Sequence, residues 1–559
     1  MPATRVTIAL NTKQSQKAPL LVPESASADP AATSSIRALI FNTARSKLRL
    51  KKPLRVFVGR NGQELISEDD WKRNVKDDIV LLVSAGEEYV GIKCESFVHA
   101  QANHHCPVEL LAANATVESY SVTQLSKTAH TLPGIIHAVG QPDLHPGTKF
   151  PIGAVFASQG WIHPPLIGGD IGCGMAWYKT KLSRHQVDGD KGKKVAEKLR
   201  GLEGPWRTQA HREAWLQEKD VSYSAGEEWD KSLGTIGAGN HFAELQVVEE
   251  ASPNDQDGQG LHPDDVILLV HSGSRGYGGE VLKKHTTDSQ TSFEEDSPEA
   301  IEYIKEHDKA CQWAKANRDL IALRFLSCLE PGNEAWELGD GSYGGNEEVD
   351  VTAIAETRKV LQERKVVDIW HNNVERVKWP PAPPSSSAGQ ATSTLELTAA
   401  VKEMSLSGDA AQQNYAWIHR KGAAPTYDPD SQVPLNLLPL PGSRGTPTLI
   451  LKPTFSESTS WGLRNGLSLA HGAGRAMSRA KALSALSSKY KGQNLLEPRA
   501  GDYDGTWVIC DEKDLVWEEA PDAYKDVRAV GQDLVDAGAA QIVGWCRARV
   551  SYKVRHEAR

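Results

Sequence analysis

One histidine stands directly before a Gly-x-Gly turn, in Leu469-Ala470-His471-Gly472-Ala473-Gly474-Arg475-Ala476-Met477-Ser478-Arg479. Glycines let a backbone approach an anion closely and turn its N–H groups toward it. A helix starting here would add an N-terminus that favours phosphate, with Arg475 and Arg479 on one face at i and i+4. A histidine beside such a cradle can be a covalent nucleophile for phosphoryl or nucleotidyl transfer. A tight turn with a packed histidine and two solvated arginines would use the same residues, so the rest of the chain must decide.

Several other stretches share this grammar. Asp170 and Cys173 are three apart in Gly168-Gly169-Asp170-Ile171-Gly172-Cys173-Gly174. A carboxylate and a thiolate on one ion suit Mn²⁺, Zn²⁺ or Co²⁺ better than Mg²⁺. Gly234-Thr235-Ile236-Gly237-Ala238-Gly239 delivers Asn240 and His241 to a tight site, with Glu244 following at helical spacing. An apolar run ends in His271 and continues as Ser272-Gly273-Ser274-Arg275, a strand end followed by groups suited to phosphate. Trp370-His371-Asn372, His419-Arg420-Lys421-Gly422 and Pro441-Gly442-Ser443-Arg444-Gly445 add further histidine, cation and hydroxyl groups. Asp170, Cys173, His241, His271 and His371 are enough for two ions sharing a bridging ligand. Such pairs serve phosphoryl chemistry by stabilising both attacking and leaving oxygens.

These residues need a scaffold, and 559 residues exceed what one core usually supports. Residues 1–90 read as a small module. Strands are expected at Arg5–Leu10, Leu54–Val58 and Ile79–Val83, a helix at Ser34–Leu50 and a turn at Asn61-Gly62. That order suggests a ubiquitin-like (β-grasp) fold whose role is partner binding. Long helices are expected at Pro298–Cys328 and Val351–Asn373, and strands at Val266–His271 and Thr448–Lys452. Ser252–Asp265, Gly332–Asp350 and a Pro/Ser/Ala-rich stretch at 380–413 read as surface insertions, the last disordered. A net charge of −9 argues against a broadly basic nucleic-acid-coating surface, though not against a local basic groove. No apolar run is long enough for a bilayer, and no signal core precedes the first strand. Seven cysteines without a CxxC pair fit free thiols in a reducing compartment. The protein is therefore expected to be intracellular, cytoplasmic or nuclear, and neither secreted nor membrane-bound.

In chain order the motifs read PDLHPG (142–147), GGDIGCGM (168–175), GTIGAGNHFAE (234–244), VHSGSRG (270–276), HN (371–372), HRKGA (419–423), PGSRGT (441–446) and HGAGRAMSR (471–479). Together they resemble the RtcB-type RNA ligases, which join RNA 2′,3′-cyclic phosphate or 3′-phosphate ends to 5′-hydroxyl ends. The resemblance covers roughly residues 130–530. It implies an α+β RtcB-like catalytic domain, here at 91–559, using two Mn²⁺ ions and GTP. It implies that Asp170, Cys173, His241, His271 and His371 hold the manganese, with Cys173 bridging, and that His471 becomes guanylylated. Asn240, Glu244, Gly442, Ser443, Gly445, Ala473, Gly474, Arg475, Tyr524 and Lys553 fall where the family binds nucleotide. Asp143, Arg275, Lys421 and Arg479 are assigned to the RNA end or its phosphate. Three departures stand out: the N-terminal module, the long insertion between His371 and His419, and Lys553 where the family chain ends in Lys-Gly. Two rivals remain: a metal-dependent phosphodiesterase or phosphatase that needs no His471, and a non-catalytic RNA-binding scaffold.

Overall fold

Val6 and Ile8, Val56 and Val58, and Leu81 and Val83 recur at period two on three short strands, and all six are buried. In the computed structural model the chain divides into two compact units, Met1–His99 and Ala100–Arg559. The structure describes residues 4–554 apart from 15, 24, 33, 60–61, 77–78, 90–105, 252–259, 288–290, 342–347, 382–414, 429–430, 432 and 500.

The first unit contains β1 (Thr4–Leu10), β2 (Lys17–Val22), α1 (Ile36–Lys47), β3 (Arg55–Val58), α2 (Glu68–Asn74) and β4 (Ile79–Ser84). The sheet order is β2-β1-β4-β3, with β1 and β4 parallel and the outer pairs antiparallel. Ser35 caps α1 by accepting from the Ala38 N–H, and the helix packs Ile36, Ile40 and Ala44 on the sheet. Two elements were not expected. β2 is a strand of uneven polarity, and α2 is a seven-residue helix held by a Ser67/Asp70 capping box. Asn61 of the expected turn lies outside the described residues.

The second unit is built on an eight-stranded and a five-stranded sheet. The larger runs Lys365–Trp370, Gly174–Ser183, Asp265–Ser272, Phe242–Ala251, Ala540–Tyr552, Thr448–Pro453, Leu438–Pro441, with Trp507–Ile509 also paired to Ala540–Tyr552. Ile267-Leu268-Leu269-Val270 is a continuous apolar run because both faces of its strand are buried. Leu268 and Val270 pack beneath the long helix Pro298–Leu329, while Ile267 and Leu269 face a second core that includes the helix Val527–Asp536. The smaller sheet runs Asn372–Lys378, Tyr415–Lys421, Ile152–Ser158, Ile135–His145, Val108–Leu110.

Several expectations change here. The helix expected to reach Asn373 ends at Arg364, and Lys365–Trp370 is a strand. Its alternating Val367 and Ile369 are buried, and pairing with Gly174–Ser183 overrides the helical spacing. Glu244 lies on the strand Phe242–Ala251, not on a helix. No helix begins at His471; the next one is Arg479–Lys489, capped by Ser478, so Arg475 and Arg479 share no helix face. Residues 252–259, 342–347 and 382–413 of the three expected insertions lie outside the described residues. Among the described residues six cysteines carry free thiols, and no helix is long and apolar enough to cross a membrane.

Candidate active site

Strand register gathers the candidate ligands. His271 is the penultimate residue of its strand and lies opposite both Phe242 and Met175, while Gly174 lies opposite Trp370. His241, Cys173 and His371 are the chain neighbours of Phe242, Gly174 and Trp370, so adjacent strands leave four side chains at one edge of the large sheet. His371 also marks the crossing from the large sheet to the small one, and its N–H donates to Cys173 O at 2.8 Å. Asp170 reaches the same point from the turn before Cys173.

The Nε2 atoms of His241, His271 and His371 lie 3.2, 3.3 and 3.2 Å from Cys173 Sγ, and those of His271 and His371 lie 3.2 Å apart. Asp170 Oδ2 lies 2.8 Å from His241 Nε2. His241 Nδ1 faces Ile236 O at 3.1 Å, and a carbonyl only accepts. That contact keeps a proton on Nδ1 and leaves the Nε2 lone pair facing a carboxylate and a sulfur. Burial, then neighbouring histidines, holds His271 and His371 well below the usual imidazole range. Burial, then Asp170, pushes the Cys173 thiol well up. So many lone pairs around one sulfur call for a cation. Donors bound to one ion at about 2.0–2.3 Å stand roughly 3.1–3.6 Å apart, close to the spacing observed. The donors fall into two groups that share Cys173: Asp170, Cys173 and His241, and Cys173, His271 and His371. Carboxylate, thiolate and imidazoles together fit a borderline divalent ion.

His471 stands beside this cluster, its ring 4.7 Å from that of His371. It follows the short strand Ser468–Ala470, which pairs with Ala423–Pro425. Gly422 leaves it room, since a Cβ there would come within 2.9 Å of His471 Cε1. The fully buried Asp143 contacts His471 Nδ1 through Oδ2 at 2.7 Å and also accepts from its backbone N–H at 3.3 Å. With the carboxylate accepting at Nδ1, the neutral ring carries its lone pair on Nε2. Lys525 donates to Pro142 O and Leu144 O at 3.0 and 2.7 Å and so fixes the backbone on both sides of Asp143. Gly474, at φ +71°, packs on Asp143, where a Cβ would sit 2.3 Å from its carbonyl oxygen.

A cavity of about 380 Å³ opens beside His471. Asn240, Phe242, Glu244, Gly442, Ser443, Ala473, Tyr524, Ser551 and Lys553 line it, with Glu519 and Arg479. Glu519 lies at the centre of its charge pattern. Arg475, Arg479 and Lys553 approach its carboxylate at 3.1, 3.1 and 3.0 Å, and the Tyr524 hydroxyl donates to it. Burial alone would raise this carboxyl, but Lys553, Arg479 and Arg475 outweigh burial and hold it at about 2.

A family model described as "tRNA-splicing ligase RtcB" matches residues 124–213, 204–337 and 398–554. An RNA-splicing ligase RtcB2 of Escherichia coli is 36% identical over 424 residues, covering 76% of this chain and 89% of that protein. The chain belongs to the RtcB family. A tRNA-splicing ligase RtcB of Methanococcus maripaludis is 26% identical, over 77% of this chain and 90% of its own length. An RtcB homolog of Entamoeba dispar is also 26% identical, over 76% and 80%.

Within this RtcB-family site some expected contacts move. Asp143, expected at the RNA end or its phosphate, is fully buried with its Oδ2 2.7 Å from His471 Nδ1. The Arg475 donors reach Met477 O, Glu518 O, Glu519 and the Tyr524 hydroxyl, and the guanidinium stacks on the Tyr524 ring at 5.1 Å. They tie the turn to the segment Glu518–Tyr524. Arg479, 39% exposed in its side chain, contacts Glu519 at 3.1 Å and Glu518 at 3.7 Å. Lys421 donates to Ile167 O at 3.2 Å, and burial pushes it down to about 8. Arg275 lies against the Gly237 turn, where a Cβ would fall 1.4 Å from its Nη1. Sequence reasoning missed Glu519, whose only local signal is its place five residues before Tyr524.

Glu244 accepts from Gln246 Nε2 and Ser551 Oγ, each at 2.9 Å. Burial pushes its carboxyl from 4.5 up to about 7 against those bonds and the nearby Lys553 and Arg444 charges. Between those two values the folded chain holds more protons at this site than the unfolded chain. Stability from this group therefore falls as pH rises through the window and levels off above about 7. Glu244→Gln removes that dependence, so its melting temperature should gain on the wild type between about pH 5 and pH 8. A constant offset across that range would contradict the buried, raised carboxyl.

Proposed function

We propose that this protein is a GTP- and Mn²⁺-dependent RNA ligase that joins 2′,3′-cyclic phosphate or 3′-phosphate ends to 5′-hydroxyl ends through a histidine–GMP intermediate. The observation that carries the proposal is His471: its Nδ1 is held by Asp143, and its ring stands against a metal-ligand histidine at the mouth of a nucleotide-sized cavity. The printed names of the relatives, RNA-splicing and tRNA-splicing ligases, support the same reaction class.

Asp170, Cys173, His241, His271 and His371 would hold two ions, with Cys173 shared. When bound, Mn²⁺ supplies positive charge to neutralise phosphoryl oxygens and lower a hydroxyl pKa. His471 Nε2 attacks the α-phosphorus of GTP; the N–P bond forms, the α–β P–O bond breaks and pyrophosphate leaves. Asp143 keeps the other proton on Nδ1 and stabilises the imidazolium that forms. Where the end is cyclic, water first opens it to a 2′-hydroxyl and a 3′-phosphate; an oxygen of the 3′-phosphate then attacks the GMP phosphorus, the N–P bond breaks and neutral His471 leaves. The 5′-hydroxyl oxygen attacks the activated 3′-phosphate and GMP departs. Asn240, Ser443, Arg479 and backbone N–H groups of the 472–474 turn would face the phosphates. Phe242, Glu244, Tyr524 and Lys553 would surround the base: an ammonium suits a carbonyl oxygen such as guanine O6, and a carboxyl suits ring N–H donors.

The N-terminal unit is proposed as a β-grasp module that binds a protein partner. Its 2-1-4-3 strand order with parallel central strands, and α1 packed on the sheet, support the β-grasp part of that reading. The enzyme is proposed to act inside the cell, in cytoplasm or nucleus.

A labelled RNA pair with 3′-phosphate and 5′-hydroxyl ends tests the function. Joined product should need both GTP and Mn²⁺. Phosphate release without joining, unaffected by His471→Ala, would mean a phosphodiesterase or phosphatase instead.

A further inference from the structure

The middle of the long helix Pro298–Leu329 carries three consecutive buried polar residues, Asn317, Arg318 and Asp319, and the first two are fully buried, in a stretch that also holds Trp313, Leu320 and Ile321. Arg318 Nη1 donates to Gly172 O at 2.9 Å and Ser272 O at 3.1 Å, and its Nε donates to Asp368 Oδ1 at 2.8 Å. Asn317 Oδ1 accepts from the Gly234 N–H at 2.7 Å. Its Nδ2 donates to Ser272 Oγ at 3.2 Å and Gly273 O at 3.1 Å.

Most of these partners sit close to a candidate metal ligand. Gly172 precedes Cys173, Ser272 follows His271, and Asp368 lies three residues before His371 on the strand that ends at Trp370. The link to His241 passes through one more bond. Ser272 Oγ donates to Ile236 O at 2.8 Å, the carbonyl that also accepts from the His241 Nδ1–H. One helix thus touches every segment that supplies a ligand.

We infer that Asn317 and Arg318, with Asp368, are positioning residues that hold the four ligand-bearing segments in register for metal binding. Burying a guanidinium costs more than a well-packed apolar pair, so stability alone is a weak reason to keep one here. Ligand segments joined only through a rigid third party gain fixed donor spacing, which a metal site needs. Lysine could not replace the arginine fork, because one ammonium cannot span Asp368 and two carbonyls on different segments. The inference rests on the metal reading of the cluster.

The test uses full-length, metal-stripped protein and Mn²⁺ alone, with free ion read from its paramagnetic resonance signal. Wild type, Arg318→Lys, Asn317→Ala and the apolar double variant Arg318→Met/Asp368→Leu are titrated, and each metal-free melting temperature is recorded. Expected is a fall in Mn²⁺ affinity of roughly ten- to hundred-fold in all three variants. The double variant should nevertheless melt, without metal, within roughly 5 °C of the wild type. Wild-type affinity in folded variants would overturn the inference. So would failure of all three variants to fold, because the residues would then support the fold rather than the site. If the wild type itself binds no Mn²⁺, the metal reading falls instead.

Discussion

Cys173→Ala should abolish bound Mn²⁺ and, with it, ligation. Three imidazole nitrogens stand within 3.3 Å of this one sulfur, and it belongs to both donor groups. Removing a peripheral ligand such as Asp170 or His371 leaves one group of donors whole; removing the shared thiolate leaves neither. Each ion contributes several kcal/mol of charge stabilisation at the phosphoryl group, so the loss in rate should be roughly three orders of magnitude or more. Cys173→Ser tests the chemistry rather than the space. A serine hydroxyl is a harder, far less acidic donor, and should recover little metal at neutral pH. Metal analysis and single-turnover ligation of both variants, with circular dichroism confirming the fold, check the prediction. A Cys173→Ala protein that keeps two ions would remove the bridging assignment.

The second large effect should come from Asp143→Asn, with metal content unchanged. An amide at this position can turn its NH₂ toward His471 Nδ1, which then accepts and leaves the proton on Nε2. The nucleophilic lone pair would be lost while the ring stays in place. Histidine-orienting aspartates in other enzymes lose on the order of 10⁴ in rate by this route, and a similar fall is expected in the guanylylation step. Asp143 is absent from the metal-ligand groups, so normal Mn²⁺ binding beside a silent histidine is the distinguishing signature. A variant that labels at the wild-type rate would show that Asp143 has only a packing role.

Much of the site was legible in the sequence because its chemistry sits in short glycine-bracketed motifs. Cys173, His241 and His371 each directly precede a strand and His271 is the penultimate residue of one, and pairing of the strands brings the four to one end of the sheet. Glu519 was not legible, because its three cations come from places as distant in sequence as Arg475 and Lys553. The role of Asp143 was hidden for the same reason: its partner is 328 residues away. Local spacing misled wherever pairing decided the outcome. Lys365–Trp370 carries a helical pattern yet forms an edge strand, and Glu244 follows His241 by three residues on a strand rather than a helix. At His471 the two glycines and the contact with Asp143 hold an irregular turn, which delays the next helix until Ser478 caps it.

The most direct test of the account is covalent labelling. Wild type and His471→Ala are incubated with α-labelled GTP and Mn²⁺, denatured and examined for bound label, with the labelled peptide mapped. The account predicts an acid-labile label on the wild-type peptide containing His471 and none on His471→Ala. Equal label on both proteins, or none on wild-type protein shown to hold Mn²⁺, would contradict a guanylylated His471.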